Sequence, residues 1–222
     1  MNLKKLAAEK AVEDVEDGMT IGLGTGSTAY FAIMKVAKLV QEGYVLKCVA
    51  TSLQTEEIAR QAGIEILPLD EVQCIDLTID GADEVDPNLQ LIKGLGGALL
   101  REKIVAAASL KEIIIVDQSK LVEKLGTKSP LPVEVLPFGH SHTSRSLQML
   151  GCEPVMRRLD GNPFITDGGN YILDCRFTSI DSPFFMESRI NTIPGVVENG
   201  LFLNVATKVV VASEDGLKIM EK

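Results

Sequence analysis

Short apolar runs alternate with amphipathic stretches over the first half of this chain, and that alternation limits its fold more than any other feature. Residues 3–16 set Leu3, Leu6, Ala7, Ala11 and Val15 near one face at helical spacing. Strand-like runs follow at 19–23, 46–50, 64–67, 74–79, 90–92 and 112–116. Helical stretches separate them at about 28–41, 53–62 and 98–108, the second capped by Thr51 or Ser52. Strands that alternate with helices in this way pair in parallel, because each return needs a crossover long enough to hold a helix.

The expectation is therefore an α/β fold: a doubly wound, mostly parallel Rossmann-like sheet. The style changes after Lys128, where Ser129-Pro-Leu-Pro132 and Pro137 break the pattern. A helix near 140–150, a strand near 153–157, strands around the turn at 167–170 and a helix near 184–191 then suggest a second, smaller α+β (ferredoxin-like) domain. The run at 208–212 is read as a return to the main sheet. The expected division is 1–128 plus about 205–222 for the larger domain and 129–204 for the smaller.

Composition removes several function classes. The 222 residues carry 31 acidic and 22 basic side chains, net charge −9. That excludes a general nucleic-acid binder and disfavours an anionic membrane surface. Hydrophobic residues make up 45%, enough for a real core, but aromatics are 5% and Trp is absent, so burial falls to Ala, Val, Ile and Leu. No apolar run approaches the roughly 20 residues a membrane span needs. The first residues carry too many acids for a transit peptide and no apolar segment of a secretion signal. The four cysteines form no C-x-x-C pair, so neither zinc nor a thioredoxin-like motif is indicated, and reduced thiols in a cytoplasmic protein are expected. The two histidines, His140 and His142, have no third ligand nearby and are read as a turn or helix start. Acid–base chemistry then falls on carboxylates.

Residues 22–28, Gly22-Leu-Gly-Thr-Gly-Ser-Thr28, follow the first strand and open a helix. Glycines let the backbone approach an anion, the helix N-terminus donates N–H groups, and Thr25, Ser27 and Thr28 add hydroxyls. From Gly24 the stretch fits a loose dinucleotide pattern ending at Ala29, but the second strand ends in Ala50-Thr-Ser52, with no acid for a ribose. No Lys precedes the Ser or Thr, so it is not a Walker A loop. Phosphate or carboxylate binding and a plain tight turn both remain open for this segment.

Asp80 and Asp83 stand just past an apolar strand, where open α/β sheets bind ligands. With Asp86 they also suggest a metal loop or an acidic helix cap, although the spacing is not that of an EF-hand. Lys93-Gly-Leu-Gly-Gly97 can place an ammonium over an anionic intermediate. Glu102 and Lys120 are ordinary charged residues when read alone. No serine-nucleophile elbow, zincin motif or Cys–His signature is present.

Together with Arg101-Glu-Lys103, Pro130-Leu-Pro-Val-Glu134 and Ile193-Pro-Gly-Val196, these stretches resemble the A-type ribose-5-phosphate isomerases, in family order over nearly the whole chain. The resemblance implies an enzyme that interconverts D-ribose 5-phosphate and D-ribulose 5-phosphate in the non-oxidative pentose phosphate pathway. It implies no cofactor, no required metal, and a homodimer or homotetramer. It places the proton-transferring glutamate on Glu102, the aspartate pair on Asp80 and Asp83, and the lysine–glycine stretch on Lys93, Gly94, Leu95 and Gly96. The phosphate loop falls on Thr25, Gly26, Ser27 and Thr28, a later substrate-contacting lysine on Lys120, and a lysine near the phosphate on Lys4. Leu95 stands where many members have glycine, and a left-handed backbone there would be costly.

The implied chemistry is proton transfer through a cis-enediolate with Glu102 as the single base. Burial and the aspartates would raise its pKa while Lys93 would lower it. Lys93 and the backbone N–H groups of Gly81, Ala82 and their neighbours up to Glu84 are expected to hold the enediolate oxygen, and Asp80 to assist ring opening. A coenzyme A transferase with a glutamate nucleophile and a sugar-phosphate sensor are the rival readings. The first lacks a reason for the Asp-Gly-Ala-Asp loop. The second has no room for a DNA-binding helix-turn-helix before Gly22.

Overall fold

The computed structural model describes residues 2–221. In chain order the elements are α1 (Leu3–Val12), β1 (Thr20–Leu23), α2 (Ala29–Gln41), β2 (Lys47–Ala50), α3 (Leu53–Gln61), β3 (Leu77–Gly81), β4 (Glu84–Val85) and β5 (Leu91–Ile92). Then follow α4 (Leu99–Ala107), β6 (Glu112–Asp117), β7 (Leu131–Val135), α5 (His140–Gln148), β8 (Glu153–Met156), β9 (Arg158–Leu159) and β10 (Asn162–Pro163). The last are β11 (Tyr171–Arg176), α6 (Pro183–Asn191), β12 (Val196–Asn199), β13 (Leu201–Phe202), β14 (Lys208–Ser213) and β15 (Gly216–Glu221).

The chain divides into two compact units. The first comprises Met1–Ala82, Arg101–Lys120 and Asn204–Lys222. Its sheet has the order β15-β14-β6-β3-β1-β2, parallel except for the antiparallel edge strand β15. The strands alternate their faces. Ile21, Leu23 and Ile79 bury against Ala7, Ala11, Ala32, Ile33 and Val36 of α1 and α2. Gly22 and Thr78 face α4 on the other side: a Cβ on Gly22 would lie 2.8 Å from Thr78 Cβ and 3.0 Å from Val105 Cγ1. Strand order reverses between β1 and β3, so the loops after these two strands flank the switch point, where such sheets bind ligands.

The second unit comprises Asp83–Leu100 and Leu121–Leu203. Its four-stranded antiparallel sheet has the order β12-β7-β11-β8, and its chain order β7-α5-β8-β11-α6-β12 is the βαββαβ arrangement. Leu131, Val133, Val135, Leu147, Leu173 and Ile190 form its core. A three-stranded sheet, β13-β5-β4, joins residues 84–92 to Leu201 and Phe202.

Several expectations need correction. Residues 83–100 and 121–128 pack with the second unit and not with the first, because β4 and β5 pair with β13. Residues 64–67 form no strand; only Ile66 bridges Cys48. The Pro-rich stretch at 129–132 is no break, since Leu131 and Pro132 begin the inner strand β7, and Pro132 O accepts the Gly200 N–H at 2.8 Å. The run at 208–212 does rejoin the main sheet beside β6, but a further strand, β15, follows it. The first helix stops at Val12, short of residue 16.

Candidate active site

In the first unit, β1 ends at Leu23 and α2 begins at Ala29. The Tyr30 N–H donates to Gly26 O at 2.9 Å, so the first helical turn closes directly on the loop. Thr28, at the N-cap, makes no side-chain capping bond, and the Phe31 N–H donates to Thr28 O at 3.1 Å. Gly26 has φ +108°, a setting that glycine adopts without steric cost. Gly26 and Ser27 are exposed; Thr25 and Thr28 are half-buried.

The Thr25 side chain points toward the start of α3. Its Oγ1 donates to Ser52 Oγ at 2.8 Å and lies 2.8 Å from Thr51 Oγ1 and 3.1 Å from Thr55 Oγ1. Thr51 in turn donates to Leu23 O and Thr55 to Gly24 O, each at 2.9 Å. Thr51, Ser52 and Thr55 are buried, so the start of α3 braces the loop from behind.

Asp80, at the end of β3, is buried. Its Oδ1 accepts the Thr25 N–H at 3.1 Å and the Gly81 N–H at 2.7 Å. Lys4 donates to Ser27 Oγ at 2.8 Å. Asp117, at the end of β6, is pushed up by its partial burial, but bonds from Ser119 and the charges of Lys120 and Lys4 outweigh this and hold its carboxyl below the ordinary value. Lys4 thus meets the loop after β1, and Lys4 and Lys120 both act on Asp117 at the C-terminal end of β6.

Glu102 reaches the same edge. The C-terminal end of α4 is fastened to the chain just before β3: Ile75 N–H donates to Ala108 O at 3.0 Å, and Leu110 N–H to Ile75 O at 2.8 Å. Helix α4 thus runs antiparallel to β3. Val105 packs at the level of Gly22 and Thr78. Glu102, three residues earlier on the same helix face and so about 4.5 Å nearer the strand ends, stands toward the level of Gly24 and Asp80. Its carboxylate is buried.

In the second unit, Asp83 immediately precedes β4 and Lys93 immediately follows β5. Asp83 N–H donates to Ile92 O at 2.8 Å, and Lys93 N–H to Gly200 O at 2.9 Å. Lys93 is buried, its Nζ 5.3 Å from the centroid of the Phe202 ring. The left-handed backbone settings fall on Gly94 (φ +104°) and Gly97 (φ +85°), so Leu95 bears no strain, and its N–H donates to Asp83 Oδ2 at 2.9 Å. Gly94 is buried, while Leu95 and Gly96 are exposed. The expectation for the 81–84 backbone needs amending: the N–H groups of Gly81 and Asp83 are already engaged within the protein, and Ala82 is half-buried between them.

Other roles were not foreseen. Asp86 is a turn residue, its Oδ1 accepting the Asn88 and Gln90 N–H groups. Glu84 is wholly buried and accepts three backbone N–H groups, from Gly126 at 2.6 Å, Lys128 at 2.7 Å and Ser129 at 2.5 Å. It organises a loop. Thr51 and Ser52 had a signal as helix caps, but nothing local told that they also brace Thr25.

The family profile described as Ribose 5-phosphate isomerase A (phosphoriboisomerase A) matches residues 47–216. The ribose-5-phosphate isomerase A of Gloeobacter violaceus is 56% identical over 98% of this chain and 95% of its own length. That of Bacillus mycoides is 52% identical over 98% and 99%. A solved D-ribose-5-phosphate isomerase in complex with phospho-erythronic acid superposes with a TM-score of 0.97 at 42% identity, covering 100% of both chains. The enzyme of Methanocaldococcus jannaschii gives 0.95 at 43%, covering 100% of this chain and 99% of its own. The chain belongs to the ribose 5-phosphate isomerase A family.

Proposed function

We propose that this protein interconverts D-ribose 5-phosphate and D-ribulose 5-phosphate by proton transfer, with Glu102 as the base. The observation that carries the reading is the C-terminal sheet edge of the first unit. A loop shaped for a phosphate meets Lys4 there, beside buried Asp80 and toward the level of buried Glu102, and Lys4 and Lys120 both act on Asp117 at the end of β6.

In the open-chain aldose, Glu102 removes the C2 proton and the electrons move onto O1. The resulting cis-enediolate is discharged when the same carboxylic acid returns its proton to C1 and the O2–H proton passes to O1. Lys93 stabilises the enediolate oxygen, which needs a cation only while that charge exists. Asp80 assists ring opening and Asp83 orients hydroxyls. Thr25 keeps the loop in shape, while Ser27 and the N–H groups of Gly26 to Thr28 receive the phosphate.

Ribose 5-phosphate deuterated at C2 tests this. A single base predicts product with part of the label at C1 and part exchanged to water. Complete retention would mean a hydride shift and would overturn the reading. Turnover is expected to persist in excess EDTA; loss restored by a divalent ion would reassign Asp80 and Asp83 to a metal.

The chain is also read as a homodimer or homotetramer acting in the cytoplasm. The second unit exposes Phe138, Met149, Phe184 and Phe185, apolar side chains that a second copy of the chain would bury. Among the described residues no helix is long and apolar enough to cross a membrane. Light scattering on the purified protein tests the assembly, and cell fractionation the location.

A further inference from the structure

Arg157 stands between β8 and β9 and uses all three guanidinium nitrogens. Nε donates to Asp174 Oδ2 at 2.9 Å and Nη2 to Asp174 Oδ1, a bidentate pair. Nη1 donates to Gly94 O at 2.9 Å and to Leu95 O at 3.0 Å. The Arg157 side chain is only 12% exposed. Phe164 supports it from one side, its ring centroid 5.9 Å from Arg157 Cζ. The same ring fills the space beside Gly97, where a Cβ would come within 2.6 Å of Phe164 Cε1. Arg157, Phe164 and Asp174 lie outside the motifs that mark the family in the sequence, whereas Gly94, Leu95 and Gly97 lie within one of them.

The consequence follows from peptide geometry. Across a trans peptide, a carbonyl and the next N–H point in opposite directions. With Gly94 O on Arg157, the Leu95 N–H points away from the guanidinium, and it does so, onto Asp83 Oδ2. With Leu95 O on Arg157, the Gly96 N–H is likewise turned away, at an exposed position. Two successive N–H groups therefore face the side opposite Arg157, an arrangement suited to negative charge. Lys93 immediately precedes them.

We propose that Arg157 is a positioning residue for the isomerisation. It holds both carbonyls so that the Leu95 N–H fixes Asp83 and the Gly96 N–H is offered to the enediolate. This rests on the proposed assignment of Lys93 and residues 94–96 to the substrate. A lysine at position 157 cannot reproduce the role, because an ammonium lacks the planar fork that spans a carboxylate and two carbonyls.

Arg157→Ala, Arg157→Lys, Asp174→Asn and Lys93→Met test it with ribose 5-phosphate as substrate. Folded R157A is expected to lose on the order of tenfold to a hundredfold in kcat, with KM changed much less, because misplaced donors cost most in the transition state. R157K is expected to recover only part, and hydrogen exchange at Leu95 and Gly97 to accelerate in both. R157A within about twofold of wild-type kcat, beside an impaired K93M, overturns the positioning role alone. K93M with wild-type kcat and KM overturns the assignment of the loop to the substrate. If R157A does not fold, R157K and D174N decide by the same split: a fall in kcat supports the proposal and unchanged kcat overturns it.

Discussion

Asp80 occupies the space that a side chain on Gly24 would need. A Cβ there would lie 2.6 Å from Asp80 Cα, and Asp80 Oδ1 meanwhile holds the N–H of Thr25, the next residue along. The loop assigned to the phosphate and the carboxylate assigned to ring opening are therefore one mechanical piece. Neither can shift by an ångström without the other.

Gly24→Ala tests that coupling. The Asp80 carboxylate would meet that Cβ first, but Asp80 Cα is in the way too, so turning the side chain aside is not enough and relief requires β1 and β3 to part. Overpacking of this kind costs about 1–3 kcal/mol. Urea denaturation is expected to show that loss, and kcat/KM to fall by more than the unfolded fraction explains. Wild-type stability and turnover would contradict the coupling.

Thr55→Val removes the donor to Gly24 O and one neighbour of the Thr25 hydroxyl while keeping the shape of the side chain. A buried carbonyl left without its donor costs about 1–3 kcal/mol. If α3 braces the loop, KM for ribose 5-phosphate rises several-fold while kcat changes less. An unchanged KM would restrict Thr55 to stability.

Much of this was legible in the chain, for physical reasons that differ by residue. The β1–loop–α2 segment follows from local chemistry, because glycines, hydroxyls and a helix start are adjacent in sequence. The parallel sheet follows from periodicity. By contrast, β5 finds its partner β13 more than a hundred residues away, so no local pattern could assign residues 83–100 to the second unit. Pro132 looked like a break because proline lacks a donor, yet a strand can hold it where its carbonyl does the pairing. Arg157 and Asp174 carried no signal at all, since a charged residue near a strand end is normally solvated. Leu95 looked like a strain site; the structure moves the left-handed settings to Gly94 and Gly97.

Thiol reactivity should separate the four cysteines. Burial pushes the Cys48 thiol up to about 12, so almost no thiolate exists at pH 8. Cys152 and Cys175 are also buried, whereas Cys74 is exposed. Labelling the native protein with a disulfide reagent is expected to give one fast thiol, abolished in Cys74→Ala. Fast labelling of Cys48 would contradict the packing of β2.

The Asp117 carboxyl, held below its ordinary value of 3.8, sets an acid-side expectation. A carboxyl whose folded pKa is depressed stabilises the fold above its unfolded value, and this stabilisation is lost as pH falls through the lower folded value. Asp117→Asn should therefore lower the midpoint of thermal unfolding at neutral pH, with the difference from wild type shrinking below about pH 4. A difference that stays constant from pH 7 to pH 3 would mean that the Ser119, Lys120 and Lys4 interactions do not act on this charge.

The central claim is that one buried carboxylate moves the proton. Glu102→Gln keeps the size and the helix while removing the base, and its turnover of ribose 5-phosphate to ribulose 5-phosphate is the most direct measurement. The account predicts a loss of kcat of at least about a thousandfold, with KM little changed, in a protein that unfolds cooperatively like the wild type. Turnover within tenfold of wild type would contradict it and place the base elsewhere.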